Sequence, residues 1–479
     1  MKKILFAAAE ALPFIKVGGL GDVMGSLPAA LNALGADARV VLPLYAQIPE
    51  QLRQTLTFVT SIGVPSGWRV SHCGIFQGEH NGVTYYLLDN EQYFKRSSVY
   101  GERDDAERFA FFSKAVLEVL PHIGFYPDVI HANDWHTALV PLYLNAFYRQ
   151  TKGYESTRTV ISIHNIEFQG KYDPYILGDV FGLDAAFRDI LMYDGCLNIL
   201  KGGIESADTV VAVSESYAKE ILDPFYSSGL HHILQARNEK LVGIVNGIDT
   251  ELFNPKTDQN LTCGYDLETL RFKTLNKRAL QKELGLAQIS GVPLIGMVTR
   301  LTPQKGLGLI REAMDEISTM DMQLVVLGSG DSEFEAMIQD WSARVSDKVG
   351  CSIGFSPTLA SRIYAGADVF FMPSRSEPCG LAQMIAMRYG TVPVVHAVGG
   401  LKDTVIPFNP ETREGNGVTF QSYEVWDMLD ALRRALSLYH QKQMWRAARR
   451  NGMSRDFSWG NSAKKYLDVY CALTGVQEA

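Results

Sequence analysis

The chain predicts an α/β protein made of two doubly wound, Rossmann-like halves. Three observations carry that reading. A short apolar strand at the N-terminus passes through a glycine-rich loop into a helix; strands alternate with helices again from Val292 onward; and roughly fifty residues with a single helix separate the two runs. The boundary is expected at Asn246-Gly247, where LVGIVNGID breaks, giving halves of 1–245 and 246–456, with 457–479 returning to the first half.

The first strand, Lys3 to Ala9, feeds LPFIKVGGLGDVMGSLPAAL, a loop holding Lys16, Gly18, Gly19 and Gly21, then a helix from about Asp22 to Leu34. Paired glycines let backbone approach a ligand closely, and a cation beside them can hold phosphate. The spacing is neither G-x-G-x-x-G nor a Walker loop, so neither a dinucleotide nor an ATP site is predicted. Two lysines before ILFAAA imitate a secretory leader, but Glu10 and Pro13 interrupt the apolar run and a strand is expected instead.

DARVVLPLY (Asp37 to Tyr45) is a second parallel-type strand. Leu52 to Asp89 reads as an inserted β-meander with Asn81-Gly82 at a hairpin turn. Tyr100-Gly101 lie in a polar loop before a helix over Asp105 to Leu120. Strand Val129 to Ala132 then ends in the polar turn Asn133, Asp134, Trp135, His136, and RTVISIHN repeats the arrangement with His164-Asn165. Polar groups at successive strand carboxyl ends describe a lined ligand site. Thr209 to Val213 is another strand, with Ser214 as N-cap of the next helix.

The second half reads strand PLIGMVTR, loop LTPQKG, helix, strand MQLVVLGSG, helix, strand VGCSIGFS, helix, strand DVFFMPSR, helix, strand TVPVVHAV. Arg300 and Lys305 follow its first strand, and two cations at a helix entrance suit an anion. After DVFFMP comes SRSEPCGLAQ, in which Glu377 can accept hydrogen bonds from a polyhydroxylated ligand while a helix from about Gly380 offers backbone N–H groups.

With 46% apolar and 20% charged residues the composition is that of a globular protein with substantial cores, and a net charge of −8 without a dense Lys/Arg cluster gives no footprint for nucleic acid. No apolar stretch reaches the ~18 residues of a membrane helix. The six cysteines are scattered without C-x-x-C spacing, so neither zinc nor a disulfide framework is expected and a cytoplasmic location is the default. No D-x-D occurs, so no divalent-cation clamp, metal or other cofactor is predicted.

KVGGLGD at Lys16 to Asp22, His164-Asn165, NGID at Asn246 to Asp249, TRLTPQKG, SRSEPCGL and VGGLKDTV at Val398 to Val405 stand in the order seen in bacterial glycogen synthases and the related starch synthases. The resemblance runs from the first strand to FSW at Phe457 to Trp459. It implies the two-domain GT-B glycosyltransferase fold, with the domains facing across a cleft and a last helix, Ala463 to Leu473, crossing back to the N-terminal domain. It also implies retaining transfer of glucose from ADP-glucose to the non-reducing end of an α-1,4-glucan such as glycogen.

Carried over by position, the resemblance puts Lys16, Gly18 and Gly19 on the donor from one side and Arg300 and Lys305 on its diphosphate from the other. Cys379, Gly380 and Leu381 belong to the same donor loop, and Glu377 would bind the donor glucose. Asp22, Tyr100, Asp134, His136, His164, Asn165 and Asn246 would line the sugar and acceptor subsites, and Phe355 would lie against the adenine. Two other functions are compatible with the pattern: a GT-B glucosyltransferase using UDP-glucose, and a catalytically silent glucan binder, though the latter has no need of Lys16, Arg300 and Lys305.

Overall fold

The computed structural model describes residues 1–289 and 291–475. The chain divides into two compact units, Met1–Gly247 with the chain from Trp459 onward, and Ile248–Ser458.

The first unit is built on a nine-stranded sheet. Its strands are β1 (Lys3–Ala7), β2 (Asp37–Pro43), β3 (Thr57–Ser66), β4 (Arg69–His80), β5 (Val83–Asp89), β6 (Val129–Asn133) and β7 (Arg158–Ile163). A small antiparallel sheet of β8 (Lys171–Tyr172), β9 (Met192–Tyr193) and β10 (Cys196–Asn198) precedes the last two, β11 (Thr209–Ala212) and β12 (Leu241–Gly243). The large sheet runs β12-β11-β7-β6-β1-β2-β5-β4-β3, parallel except where β4 pairs antiparallel with β3 and β5. The expected meander is therefore no separate insertion. Its last strand β5 pairs parallel with β2, so β4 and β3 extend the main sheet. Asn81 and Gly82 both have positive φ, 49° and 70°, the backbone a two-residue hairpin turn with the strands' twist requires.

Ile4, Leu5, Phe6, Val129 and Ile130 are fully buried, as continuous apolar runs must be in strands covered on both faces. β1 ends at Ala7, two residues before its apolar run does, whereas β6 runs one residue past its own and keeps Asn133 in register with Ser162. The last helix, Trp459–Thr474, is longer than predicted and packs within this unit, against the helix Gly19–Ala33. Ser462 donates to the Val245 carbonyl at 2.6 Å, and the Tyr470 hydroxyl lies 2.7 Å from His131 Nδ1.

The second unit carries a six-stranded, all-parallel sheet: β13 (Leu294–Val298), β14 (Gln323–Gly328), β15 (Val349–Ile353), β16 (Val369–Met372), β17 (Val392–His396) and β18 (Val418–Phe420), in the order β15-β14-β13-β16-β17-β18. The order reverses between β13 and β16, whose carboxyl-end loops are TRLTPQKG and SRSEPCGL. In open α/β sheets ligands bind beside such a switch point. Val326, Val369 and Val394 are fully buried in its core.

Candidate functional site

In the second unit the switch point brings together residues far apart in sequence. Lys305, on a short 3-10 turn (Pro303–Lys305), sets its ammonium 2.8 and 2.7 Å from the two carboxylate oxygens of Glu377. Ser374 donates to the same carboxylate at 2.9 Å. Lys305 and Glu377 are 14% and 8% exposed, so this is a nearly buried, fully paired charge. An ammonium has three N–H groups, and two serve Glu377, which leaves one for a ligand.

Glycine makes the approach possible. Gly306, at φ 83°, passes so close to Pro373 that a Cβ would stand 2.1 Å from its carbonyl oxygen, and Gly399 abuts the Glu377 carbonyl at the same distance. Arg375 N–H donates to the Gln304 carbonyl at 2.8 Å, tying the two loops together. Arg300 is exposed and its guanidinium forms no hydrogen bond or ion pair among the described residues.

The helix after this loop begins later than predicted, at Ala382. Gly380 adopts φ 71°, a left-handed conformation that cannot start a helix, and Gln383 Nε2 turns back onto the Cys379 and Gly380 carbonyls at 3.2 and 2.8 Å. Cys379 is buried. Phe355, beyond β15, is 80% exposed. His396 was not read as functional from the sequence. It ends β17, and its Nδ1 lies 2.8 Å from the Ser374 carbonyl, bracing the turn before Glu377; burial holds its pKa below the ordinary range.

In the first unit the loop after β1 folds back on Glu10, whose charge also acts on Asp134 at the end of β6. This buried carboxylate accepts the N–H groups of Val17 and Gly18 at 2.5 and 2.7 Å and the Tyr100 hydroxyl at 2.7 Å. In the sequence Glu10 stands out only as a charge interrupting an apolar run. A buried acid just past a strand end was the signal for a larger role. It also corrects the picture of the glycine loop. The Gly18 N–H is taken by Glu10, so of the glycine pair Gly19 is the one with open space above it. Lys16 pairs with Asp22 at 2.7 Å, and the helix starts at Gly19, which puts Asp22 in its first turn. Burial raises the Asp22 carboxyl pKa, and Lys16 opposes the rise.

Asp134 has φ 55° and ψ −175°, a region nearly confined to glycine and costing of order 1–3 kcal/mol for other residues. Its Oδ1 accepts the backbone N–H groups of His164 and Asn165 at 2.7 and 3.4 Å. Burial nevertheless pushes its pKa up to about 7. Asn133 donates to the carbonyls of Ala7 and His131, so its Oδ1 accepts from His164 Nε2 at 3.0 Å. The imidazole is thereby held as the Nε2–H tautomer with Nδ1 as acceptor, and burial lowers its pKa to about 4.

His136 sits in an aromatic nest with ring centroids 4.5 Å from Tyr100, 4.7 Å from Phe109 and 4.2 Å from Trp135, its pKa lowered to about 3 by burial. Its Nδ1 has no partner among the described residues. Asn246 is buried, and its Oδ1 likewise has no hydrogen-bond partner among the described residues.

A two-domain α/β glycosyltransferase is the class these features define, with residues 3–236 matching the starch synthase catalytic domain and residues 285–452 the glycosyl transferases group 1 domain. Glycogen synthases of Bacillus cereus (strain ATCC 10987 / NRS 248) and Geobacillus thermodenitrificans (strain NG80-2) are each 48% identical to the chain. The first alignment covers 98% of this chain and 99% of that protein, the second 99% of both. The catalytic domain of starch synthase IV from Arabidopsis thaliana, solved bound to ADP and acarbose, superposes with a TM-score of 0.92 at 36% identity, covering 99% of each chain. The chain belongs to the glycogen synthase family and has the GT-B fold.

Proposed function

We propose that the chain elongates an α-1,4-glucan by transferring glucose from ADP-glucose to its non-reducing end, with retention, releasing ADP. The observation that carries this is the Lys305–Glu377 pair beside the unengaged Arg300 at the switch point of the second unit. It offers hydroxyl acceptors and phosphate cations within one pair of loops.

The reaction needs charge growing on the departing phosphate to be stabilised. Arg300 is free to grip the diphosphate in two-pronged fashion, and Lys305 turns its remaining N–H toward the same oxygens. Glu377, its carboxylate oriented by Lys305 and Ser374, accepts from the donor glucose hydroxyls. Gly380 and Leu381 supply backbone N–H groups, and Phe355 presents an open ring to the adenine.

Within the first unit, Lys16 stands beside Gly19, which has open space above it. His164 Nδ1 and the second oxygen of Asp134 accept from sugar hydroxyls, and Tyr100 and His136 wall the acceptor, with Asn165 and Asn246 as further polar contacts. Attack comes from the face the phosphate leaves, and the departing phosphate takes the acceptor's proton. Donor competition tests the reading: ADP-glucose should be used far better than UDP-glucose, and the product should be digestible by an α-1,4-specific amylase. Equal or better turnover with UDP-glucose overturns the donor assignment.

A further inference from the structure

The glycine loop of the first unit is closed at its base by its own backbone. Ala11 and Ile15 exchange hydrogen bonds at 3.1 and 3.0 Å, and the Leu12 N–H donates to the Gly21 carbonyl at 3.0 Å. The tip is held differently. Val17 is 55% exposed, and the N–H groups of Val17 and Gly18 go to a side chain, that of Glu10. One carboxylate oxygen, Oε2, takes both of them, while Oε1 takes the hydroxyl of Tyr100, 90 positions away. A single buried side chain thus ties the loop that carries Lys16 to the ring that walls the acceptor.

Glu10 is 4% exposed and forms no ion pair among the described residues, Lys16 being paired with Asp22 instead. A buried carboxylate without a cation is destabilising unless hydrogen bonds satisfy it, and local rules of burial are broken chiefly where function requires it. Burial, and after it the Glu10 charge, raises the Tyr100 pKa, so the phenol keeps its proton and commits it to Glu10. That leaves the phenol oxygen to act as an acceptor toward a ligand.

We propose that Glu10 is a positioning residue for glucosyl transfer, holding the Val17–Gly18 tip, and with it Lys16, in the reacting geometry while it locks Tyr100 as an acceptor. It acts through these residues and not on the substrate. The proposal rests on the function proposed above and on a donor-side role for Lys16.

The test measures kcat for Glu10→Met and Glu10→Gln, each alone and in a Lys16→Ala background, together with hydrogen exchange of the Val17 and Gly18 amides. Methionine fills the space without an acceptor, and the freed tip should cost about 10²-fold in kcat, the scale of a misplacement near 1 Å. Glutamine keeps one oxygen for the two amides but loses the charge. Charge-assisted hydrogen bonds are roughly twice as strong as neutral ones, so it should recover half of that loss on a logarithmic scale and stand about 10-fold below wild type. Both losses should shrink in the Lys16→Ala background, because residues that act through one another are non-additive, and exchange at both amides should quicken in both variants. Undiminished losses in that background overturn the proposal, as do near-normal kcat in Glu10→Met or unchanged amide exchange. Should Glu10→Met fail to fold, Glu10→Gln decides by the same cycle. If wild type transfers no glucose, the proposed function fails instead, and amide exchange still decides whether Glu10 holds the tip.

Discussion

Lys305→Ala removes the ammonium that lies 2.8 and 2.7 Å from the Glu377 oxygens and leaves that carboxylate, 8% exposed, with the Ser374 hydroxyl as its only remaining side-chain donor among the described residues. Stripping one partner from a buried pair costs about 3–5 kcal/mol, and residual exposure of both side chains points to about 3 kcal/mol here. For a unit of this size each kcal/mol corresponds to about 2–4 °C, so melting of the second unit should fall by about 6–12 °C. Glu377→Gln in the Lys305→Ala background neutralises the stranded charge and should restore part of that loss, a coupling of about 1–3 kcal/mol in a double-mutant cycle. Differential scanning calorimetry measures the stability term, and ADP release gives kcat, expected to drop by about 10²–10³ in either single variant. Strictly additive melting shifts, or single variants with near-normal kcat, would refute the claim that the pair acts as one structure in the site.

Arg300→Ala should behave differently, because the side chain is exposed and unengaged. Melting should move by no more than about 0.5 kcal/mol equivalent while kcat drops by about 10²–10³ with a smaller change in donor KM, and Arg300→Lys should rescue only partly. A folded Arg300→Ala variant with full kcat would remove the phosphate-clamp role. The folded Asp134 carboxyl titrates near 7, above its ordinary value of 3.8, so its contribution to stability is full below about pH 4 and is lost as pH rises through 7. Asp134→Asn should therefore gain stability over wild type progressively across that window in urea titrations, whereas a constant offset would mean the carboxyl is not buried as described. His164 has the opposite sign, contributing above its ordinary 6.5 and losing stability as pH falls through about 4, so His164→Gln should flatten the acid side of the same profile. Activity should persist in excess EDTA, and loss restored by Mg²⁺ or Mn²⁺ would reveal a metal requirement that the sequence does not signal.

The strand-end loops were legible in the sequence because each is local: an apolar run, then glycine, lysine or a polar pair. Lys16, Asp134, His164, Lys305 and Glu377 could be picked out for that reason. Which of them would pair could not. Lys305 and Glu377 are 72 positions apart and meet only because β13 and β16 are neighbours, and strand order is not written in local pattern. The alternation that revealed β3 to β5 carried no sign that β5 would join β2. Helix starts were misplaced by two or three residues where side chains overrule propensity, Glu10 seizing the Gly18 N–H at one loop and Gln383 folding back on Gly380 at the other.

The central claim is that the chain transfers glucose from ADP-glucose onto a glucan, and primer-dependent nucleotide release tests it most directly. With purified protein and ADP-glucose, ADP should accumulate slowly or not at all alone and rapidly when glycogen is added, with an equal amount of glucose appearing in the polymer. ADP release that ignores glycogen, or glycogen that gains no glucose, would contradict the account.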